Sequence, residues 1–271
     1  IDWKTREGGG AAKFLDEPPI ILGWECAGQI EQLGEGVNHW QPGDSVFALL
    51  NFPHAGNCYA EKVLANVDQL ARIPAGLEPA LAAGLPIAGL TAWQALFDTA
   101  NLQANQRVLV LAAAGGVGHL AVQLAKWKGA WVAGTSSDQN HPYLQQLGCD
   151  QMIDYHSQSP AQLVDNIDVI IDCVGGKTAI DALACLKHSG ILVTLPSVTA
   201  PEVVEAAAAI DRKAAPIRVE SNPEQLQQLA ELIVEKKLTM KVDSRYPLVK
   251  AAEAQTHSQQ GHAQGKIILE V

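Results

Sequence analysis

The sequence predicts an α/β chain of two parts: a β-rich leading segment and a doubly wound parallel sheet. Three observations carry that prediction. Residues 18–70 hold short apolar runs divided by turn residues, and from residue 107 strand-like runs alternate with helical stretches. The first of those strands enters its helix through a glycine-rich turn, Ala112-Ala113-Ala114-Gly115-Gly116-Val117-Gly118.

In chain order, strands are predicted at residues 27–30, 45–49 and 60–64, separated by Gly34-Glu35-Gly36 and Pro42-Gly43-Asp44. Residues 78–100 turn helical, with Ala, Leu and Trp93 at helix spacing. Strands follow at 107–112, 130–134, 151–154, 168–172, 190–195 and 217–220, with helices at 118–128 and 177–186. The run Asp168-Val169-Ile170-Ile171-Asp172 is continuously apolar inside rather than alternating, which a parallel strand covered on both faces requires. Asn222-Pro223-Glu224-Gln225 opens a helix with Asn as N-cap and Pro at the first position. Its stripe is Leu226, Leu229, Ala230 and Ile233, and Lys236-Lys237 suit the negative end of its dipole. A strand at 241–243, a helix at 249–259 and a strand at 266–271 complete the series.

Composition excludes several classes. The chain has 271 residues, 48% hydrophobic and 18% charged, enough apolar material for one large domain or two ordinary ones and too much for disorder. With 29 acids against 19 Lys and Arg, the net charge of −10 offers no basic excess for nucleic acid. No apolar run reaches the ~18 residues of a membrane span. Five scattered cysteines without CxxC spacing fit a reducing compartment, and a cytoplasmic location is expected. The chain opens at Ile1-Asp2-Trp3 with no visible signal peptide. Eight histidines show neither i,i+4 nor HxH spacing, so no metal site is expected. His119 reads as a helix-start residue rather than a base.

The glycine turn is the most informative segment. Gly115 lets the backbone approach a pyrophosphate, Gly118 lets the helix pack close to the strand, and the helix start offers free N–H groups to an anion. Ala113 replaces the first glycine of the usual pattern, so the position of the turn, on the first strand of a βαβαβ series, carries the dinucleotide reading. An NAD site places an acid about 20 residues on, at the end of the second strand. Here that strand ends in Thr135-Ser136-Ser137, whose hydroxyls tolerate a 2′-phosphate that a carboxylate would repel. NADPH is therefore expected, against the nearby Asp138 and without a following Arg or Lys.

Several motifs in order extend this reading: Gly23-Trp24-Glu25-Cys26-Ala27-Gly28, Pro42-Gly43-Asp44-Ser45-Val46, Gly89-Leu90-Thr91-Ala92-Trp93, the glycine turn, Asp172-Cys173-Val174-Gly175 and Gly265-Lys266-Ile267-Ile268-Leu269. With them the whole chain resembles the zinc-independent quinone oxidoreductase branch of the medium-chain dehydrogenase/reductase superfamily. The resemblance implies a GroES-like substrate domain over residues 1–84 and 241–271 and a Rossmann NADP-binding domain over 85–240. It also implies further β strands before Asp2. Zinc-dependent relatives carry a His ligand where Trp24 stands, and a lobe of four close cysteines where only Cys58 lies near.

The resemblance further places Thr91 beside the nicotinamide ribose, with Gly115, Gly116, Val117 and Gly118 under the pyrophosphate. It turns Ser136 and Ser137 toward the adenosine phosphate, with Thr135 where an NAD enzyme holds its acid and Tyr155 as a further donor to the 2′-phosphate. Cys173, Val174, Gly175, Leu195 and Ser197 follow parallel strands at their carboxyl ends, where such sheets bind ligands. Cys173 reads equally as a small buried apolar group. Trp3, Asn51 and Tyr59 are candidates for the acceptor pocket, with plain packing as the equal alternative. No side chain is singled out as catalytic.

The implied activity is NADPH-dependent hydride transfer to a quinone or an α,β-unsaturated carbonyl without zinc. The alternatives are an enoyl-thioester or alkenal reductase of the same superfamily and a non-catalytic NADPH-binding protein. A homodimer joined at residues 216–220 is a family-level expectation.

Overall fold

The structure, a computed structural model, describes residues 1–271. Its first elements are a helix α1 (Asp2–Arg6), strands β1 (Glu25–Gln29), β2 (Ser45–Leu49) and β3 (Leu70–Arg72), and helices α2 (Pro79–Gly84) and α3 (Pro86–Trp93). The three strands form an antiparallel sheet in the order β1-β2-β3, with Glu25 opposite Leu49 and Val46 opposite Arg72. The predicted Pro42-Gly43-Asp44 turn leads into β2, and Ile30 N–H donates to Asp44 O at 3.0 Å. The strand expected at 60–64 is absent. Backbone pairing in that stretch ends at Tyr59, whose N–H donates to Leu22 O at 2.8 Å, and Leu64 is 95% exposed with no apolar face to cover it.

The middle of the chain alternates strand and helix except between β6 and β7: β4 (Arg107–Leu111), α4 (Gly118–Trp127), β5 (Trp131–Ser136), α5 (His141–Gln146), β6 (Gln151–Asp154), β7 (Ile167–Asp172), α6 (Gly176–Ala182), β8 (Leu186–Thr194), α7 (Ala200–Ala209) and β9 (Lys213–Pro216). All six strands are parallel, in the order β6-β5-β4-β7-β8-β9. The order reverses between β4 and β7, the switch point beside which doubly wound sheets bind nucleotides. Val108 through Leu111 are fully buried, as the central position of β4 demands. On one face Leu109, Leu111, Ile153, Ile170 and Leu192 pack with Ala179, Leu183 and Val203 from the helices. The edge strand lies at Lys213–Pro216 rather than at 217–220, because Lys213 to Pro216 hold the register opposite Ile191 to Thr194.

The chain ends with α8 (Pro223–Val234), β10 (Val242–Pro247), α9 (Ala251–Gln259) and β11 (Lys266–Glu270), with β10 and β11 paired in parallel. Asn222 caps α8 as the sequence predicts, its Oδ1 accepting Gln225 N–H at 3.0 Å. Two compact units result, one of Ile1–Leu90 with Val219–Val271 and one of Thr91–Arg218. The first division thus falls inside α3, and α8 belongs to the first unit rather than to the nucleotide-binding part. Its buried Leu226, Leu229 and Ala230 supply the reason, for Leu229 Cδ1 packs 3.0 Å from where a Cβ on Gly89 would stand. The first unit carries the antiparallel GroES-like sheet and the second the Rossmann sheet.

Candidate nucleotide-binding turn and its surroundings

In the second unit, β4 leaves its strand conformation abruptly. Ala112 adopts φ +55°, a left-handed conformation that costs an alanine about 1 kcal/mol. Two contacts to β5 hold it there: Thr135 Oγ1 accepts Ala112 N–H at 3.0 Å, and Thr135 O accepts Ala113 N–H at 2.8 Å. Gly115 N–H then donates to Ala112 O at 3.0 Å, and His119 N–H to Gly115 O at 3.0 Å. The N–H groups of Gly116 and Val117 have no partner within the protein. At Gly118 a Cβ would collide with Ala112 O and stand 2.8 Å from Ala113 Cα, so only glycine lets α4 start this close to β4.

His119 is fully buried, and its Nδ1 donates to Gly115 O at 2.9 Å, because a carbonyl can only accept. It stiffens the turn, in keeping with a helix-start residue rather than a base.

Thr135 stands at the end of β5 as expected; it is 4% exposed, and its hydroxyl oxygen accepts Ala112 N–H, which helps to build the turn. Ser136 is also buried, and its hydroxyl donates to Ser137 O at 2.9 Å. Ser137 Oγ accepts Asn140 Nδ2 at 3.0 Å and keeps its own proton to donate. Tyr155 follows β6, with its backbone N–H on Ser136 O at 3.3 Å and its ring exposed beside His156. Ser137 and Tyr155 are thereby brought to one strand end.

The carboxyl ends of β7 and β8 are organised by Asp172, a residue the sequence reading quoted without a role. Its Oδ1 accepts Val174 N–H at 2.9 Å and Gly175 N–H at 2.8 Å, while Oδ2 accepts the Thr194 hydroxyl at 2.7 Å. Asp172 is fully buried, so one carboxylate fixes the Cys173-Val174-Gly175 turn and ties two strands. The signal available in the sequence was an acid closing an otherwise apolar strand. Gly175 has φ +86°, and a side chain there would collide with Thr199 Oγ1. Leu195 N–H donates to Asp172 O at 2.9 Å, and Ser197 is exposed beyond it. Burial pushes the Cys173 thiol well above the ordinary range, with the Asp172 charge adding to it, so Cys173 stays a neutral thiol. Thr91 begins this unit and is buried in α3.

In the first unit, Trp24 is 2% exposed, packs edge-on against Phe52 and donates Nε1–H to His54 O at 2.6 Å. Its single polar atom is therefore satisfied by backbone, and an indole N–H has no lone pair for a metal. No group of three or more His, Cys, Asp or Glu converges on one point. Glu25, next in sequence, pairs with Lys266 and accepts Ile87 N–H at 2.8 Å from the start of α3. Burial raises the Glu25 carboxyl above its ordinary value, outweighing the attraction of Lys266. Tyr59 donates its hydroxyl to Asp2 Oδ2 at 3.1 Å, and burial and that carboxylate hold the phenol protonated. Trp3 is half-buried in α1 under Lys4, and Asn51, at φ +55°, closes its own turn onto Ala55 O at 3.2 Å.

Comparison with known proteins agrees with this geometry. Residues 1–92 match the family described as alcohol dehydrogenase GroES-like domain, and residues 147–269 the family described as zinc-binding dehydrogenase. A chloroplast envelope quinone oxidoreductase homolog of Arabidopsis thaliana is 32% identical over 282 residues, spanning 100% of this chain and 85% of its own. The structure of the quinone oxidoreductase from Coxiella burnetii superposes with a TM-score of 0.97 at 40% identity, covering 100% of this chain and 86% of that one. The quinone oxidoreductase of Escherichia coli, solved in complex with NADPH, gives a TM-score of 0.82 at 26% identity over 94% of this chain and 84% of its own.

Proposed function

Since the chain belongs to the zinc-independent quinone-oxidoreductase-like branch of the medium-chain dehydrogenase/reductase superfamily, we propose that it transfers a hydride from NADPH to a quinone or an α,β-unsaturated carbonyl. The observation that carries this reading is Trp24. A buried indole replaces the ligand that a metal-bound alcohol would need, while the dinucleotide turn is intact.

The turn fits the group it would hold. Gly116 and Val117 offer two unengaged N–H groups at a helix start, where a pyrophosphate is favoured. A Cβ on Gly115 would meet only Ala112 O within 4 Å, so the rest of its surroundings is open. Gly115 to Gly118 would hold the pyrophosphate, and Ser137 with Tyr155 would donate to the 2′-phosphate. Thr91, the Cys173-Val174-Gly175 turn, Leu195 and Ser197 would flank the nicotinamide half. When bound, NADPH supplies the hydride, and electron-poor acceptors of this class need placement more than a strong acid. Asp172 serves that placement by fixing the backbone of its loop, and the protonated Cys173 thiol adds no charge to it.

A homodimer is part of the same proposal. β9 pairs with β8 along one side only, and its other edge would continue the sheet into a second copy across a two-fold axis.

The test is oxidation of NADPH and of NADH across a panel of benzoquinones, naphthoquinones, enones and enoyl thioesters. Quinone or enone turnover with NADPH preferred is expected. NADPH binding without turnover of any acceptor would make the chain a nucleotide-binding protein instead. A clear preference for thioesters would move it to the enoyl reductases.

A further inference from the structure

The first unit holds a constellation of side chains that the reductase chemistry does not use, where α9 meets β10. Val242 pairs with Lys266 and Ser244 with Ile267, so Asp243 is an extra residue in its strand. Such a bulge lets adjacent side chains share one face, which the regular alternation of a strand forbids. Asp243, Ser244 and Tyr246 accordingly all reach one imidazole, that of His257 in the last turn of α9. Asp243 Oδ2 stands 3.5 Å from His257 Nε2. On the other side of the ring, Ser244 Oγ is 3.3 Å and the Tyr246 hydroxyl 3.1 Å from Nδ1.

We propose that Ser244, His257 and Asp243 form the nucleophile, base and orienting acid of a second site, which cleaves small activated carboxylic esters independently of hydride transfer.

The roles follow from what each atom can give. Asp243 Oδ1 accepts Gln264 N–H at 2.9 Å, which anchors the carboxylate. A carboxylate beside Nε2 favours the tautomer that carries its proton there, and Nδ1 is then left with a lone pair. The Ser244 hydroxyl can donate to that lone pair, the arrangement that activates a serine. Contacts of 3.3 and 3.5 Å are the looser kind that tighten once substrate is bound. The His257 side chain is 29% exposed and Ser244 is half-buried, so the constellation is open to a small ester. Tyr246 packs edge-on against the imidazole at 6.1 Å and supplies the second hydroxyl. Once Nδ1 holds a proton it can only donate, which frees the Tyr246 O–H to turn toward a developing oxyanion.

Ser244 Oγ attacks the ester carbonyl as its proton passes to His257 Nδ1, and the carbonyl electron pair moves onto oxygen. The tetrahedral adduct collapses, the bond to the alcohol oxygen breaks, and that oxygen takes the proton from Nδ1. An acyl-serine and a free alcohol remain. Water then adds to the acyl carbonyl while Nδ1 takes its proton. The bond to Ser244 Oγ breaks, the proton returns to that oxygen, and the carboxylic acid leaves. Overall, one ester and one water give one acid and one alcohol. With a fluorophosphonate in place of the ester, the same attack expels fluoride and leaves a stable phosphonyl-serine.

The experiment treats the folded protein with an alkyl fluorophosphonate and, separately, with p-nitrophenyl acetate. After labelling, the chain is digested with trypsin and the adduct located by mass spectrometry. Cleavage after Lys241, Arg245 and Lys250 puts Ser244 in peptide 242–245 and Tyr246 in peptide 246–250, so the two hydroxyls are read apart. The expected result is a single phosphonyl group on Ser244 and turnover of the acetate that the fluorophosphonate blocks. Ser244→Ala should abolish both, and His257→Gln should slow both by about a hundredfold or more. Circular dichroism checks that each variant is folded, and the position of the adduct on the wild type decides the matter without them. An unlabelled Ser244, a label on Tyr246 or elsewhere, acetate turnover that survives Ser244→Ala, or a folded His257→Gln that reacts at the wild-type rate would each overturn the assignment and leave the constellation a clamp between α9 and β10.

Discussion

Thr135 and Ala112 are joined by a 3.0 Å hydrogen bond in which the side-chain hydroxyl accepts the backbone N–H of a left-handed alanine. The residue at the end of β5 thereby sets the shape of the turn after β4. Thr135→Val keeps the volume and removes the acceptor. Leaving that N–H without a partner should cost about 1–3 kcal/mol in urea unfolding. NADPH and NADH should weaken together, because the pyrophosphate cradle loosens for both. A selective loss of NADPH would give Thr135 a part in reading the 2′ position.

Discrimination between the cofactors is expected at Ser137 and Tyr155. A hydrogen bond to a charged group contributes about 1.5–3 kcal/mol, which corresponds to roughly tenfold or more in affinity. Tyr155→Phe and Ser137→Ala should each weaken NADPH by about that factor and leave NADH nearly unchanged. Fluorescence titration with both reduced cofactors decides it.

Asp172→Asn should be among the most damaging single-atom changes in the second unit. The carboxylate accepts from two backbone N–H groups on one oxygen and from the Thr194 hydroxyl on the other. An amide can present an acceptor to only one of those sides. A loss of about 2–3 kcal/mol in urea unfolding is expected, with weaker NADPH binding. Unchanged stability would show that the clamp does not matter.

Activity should survive metal removal. Trp24 donates its only polar hydrogen to His54 O and offers no ligand in the place where zinc-dependent relatives carry one. Protein dialysed against a strong chelator should keep its quinone turnover, and elemental analysis should find no stoichiometric zinc. Restoration of lost activity by added zinc would contradict this.

Glu25 makes stability fall as pH rises. Its folded-state carboxyl titrates above the ordinary value of 4.5, so the folded state holds the proton more tightly than the unfolded chain does. The resulting stabilisation is complete below 4.5 and is lost as pH rises through the raised value. Melting curves of the wild type and Glu25→Gln across this window should diverge, the wild type losing stability with pH relative to the variant. Parallel curves would mean that Lys266 fully compensates the burial.

The Rossmann unit was legible because its signals are local. A buried strand such as 107–111 announces itself by continuous apolar residues, and Asn222 with Pro223 announces the start of a helix. The failures have one cause in common, which is that pairing and burial are decided by distant partners. Residues 60–64 have strand-like composition, yet the backbone pairing of that stretch ends at Tyr59. Residues 217–220 look more like a strand than Lys213–Pro216, but register with β8 selects the latter. The contribution of Thr135 to the turn was not legible, since nothing within its own strand reveals that Ala112, 23 positions earlier, donates to its hydroxyl oxygen. The grouping of α8 with the first unit was not legible for the same reason. The stripe on α8 shows that it must be buried, and not against which sheet.

The division of the first unit into Ile1–Leu90 and Val219–Val271 has a consequence for biosynthesis. The Rossmann segment, Thr91–Arg218, is contiguous and can form its sheet as soon as it clears the ribosome. The earlier segment emerges first but cannot finish. β11 supplies Lys266 to Glu25 and Ile268 to the surface beside Gly84, and α8 must arrive to cover Gly89. At about 5–20 residues per second, the nascent chain carries α2 and α3 without their late-arriving cover for on the order of ten seconds. Chaperone dependence during translation, and its relief when the last segment is supplied, belong to this half of the molecule.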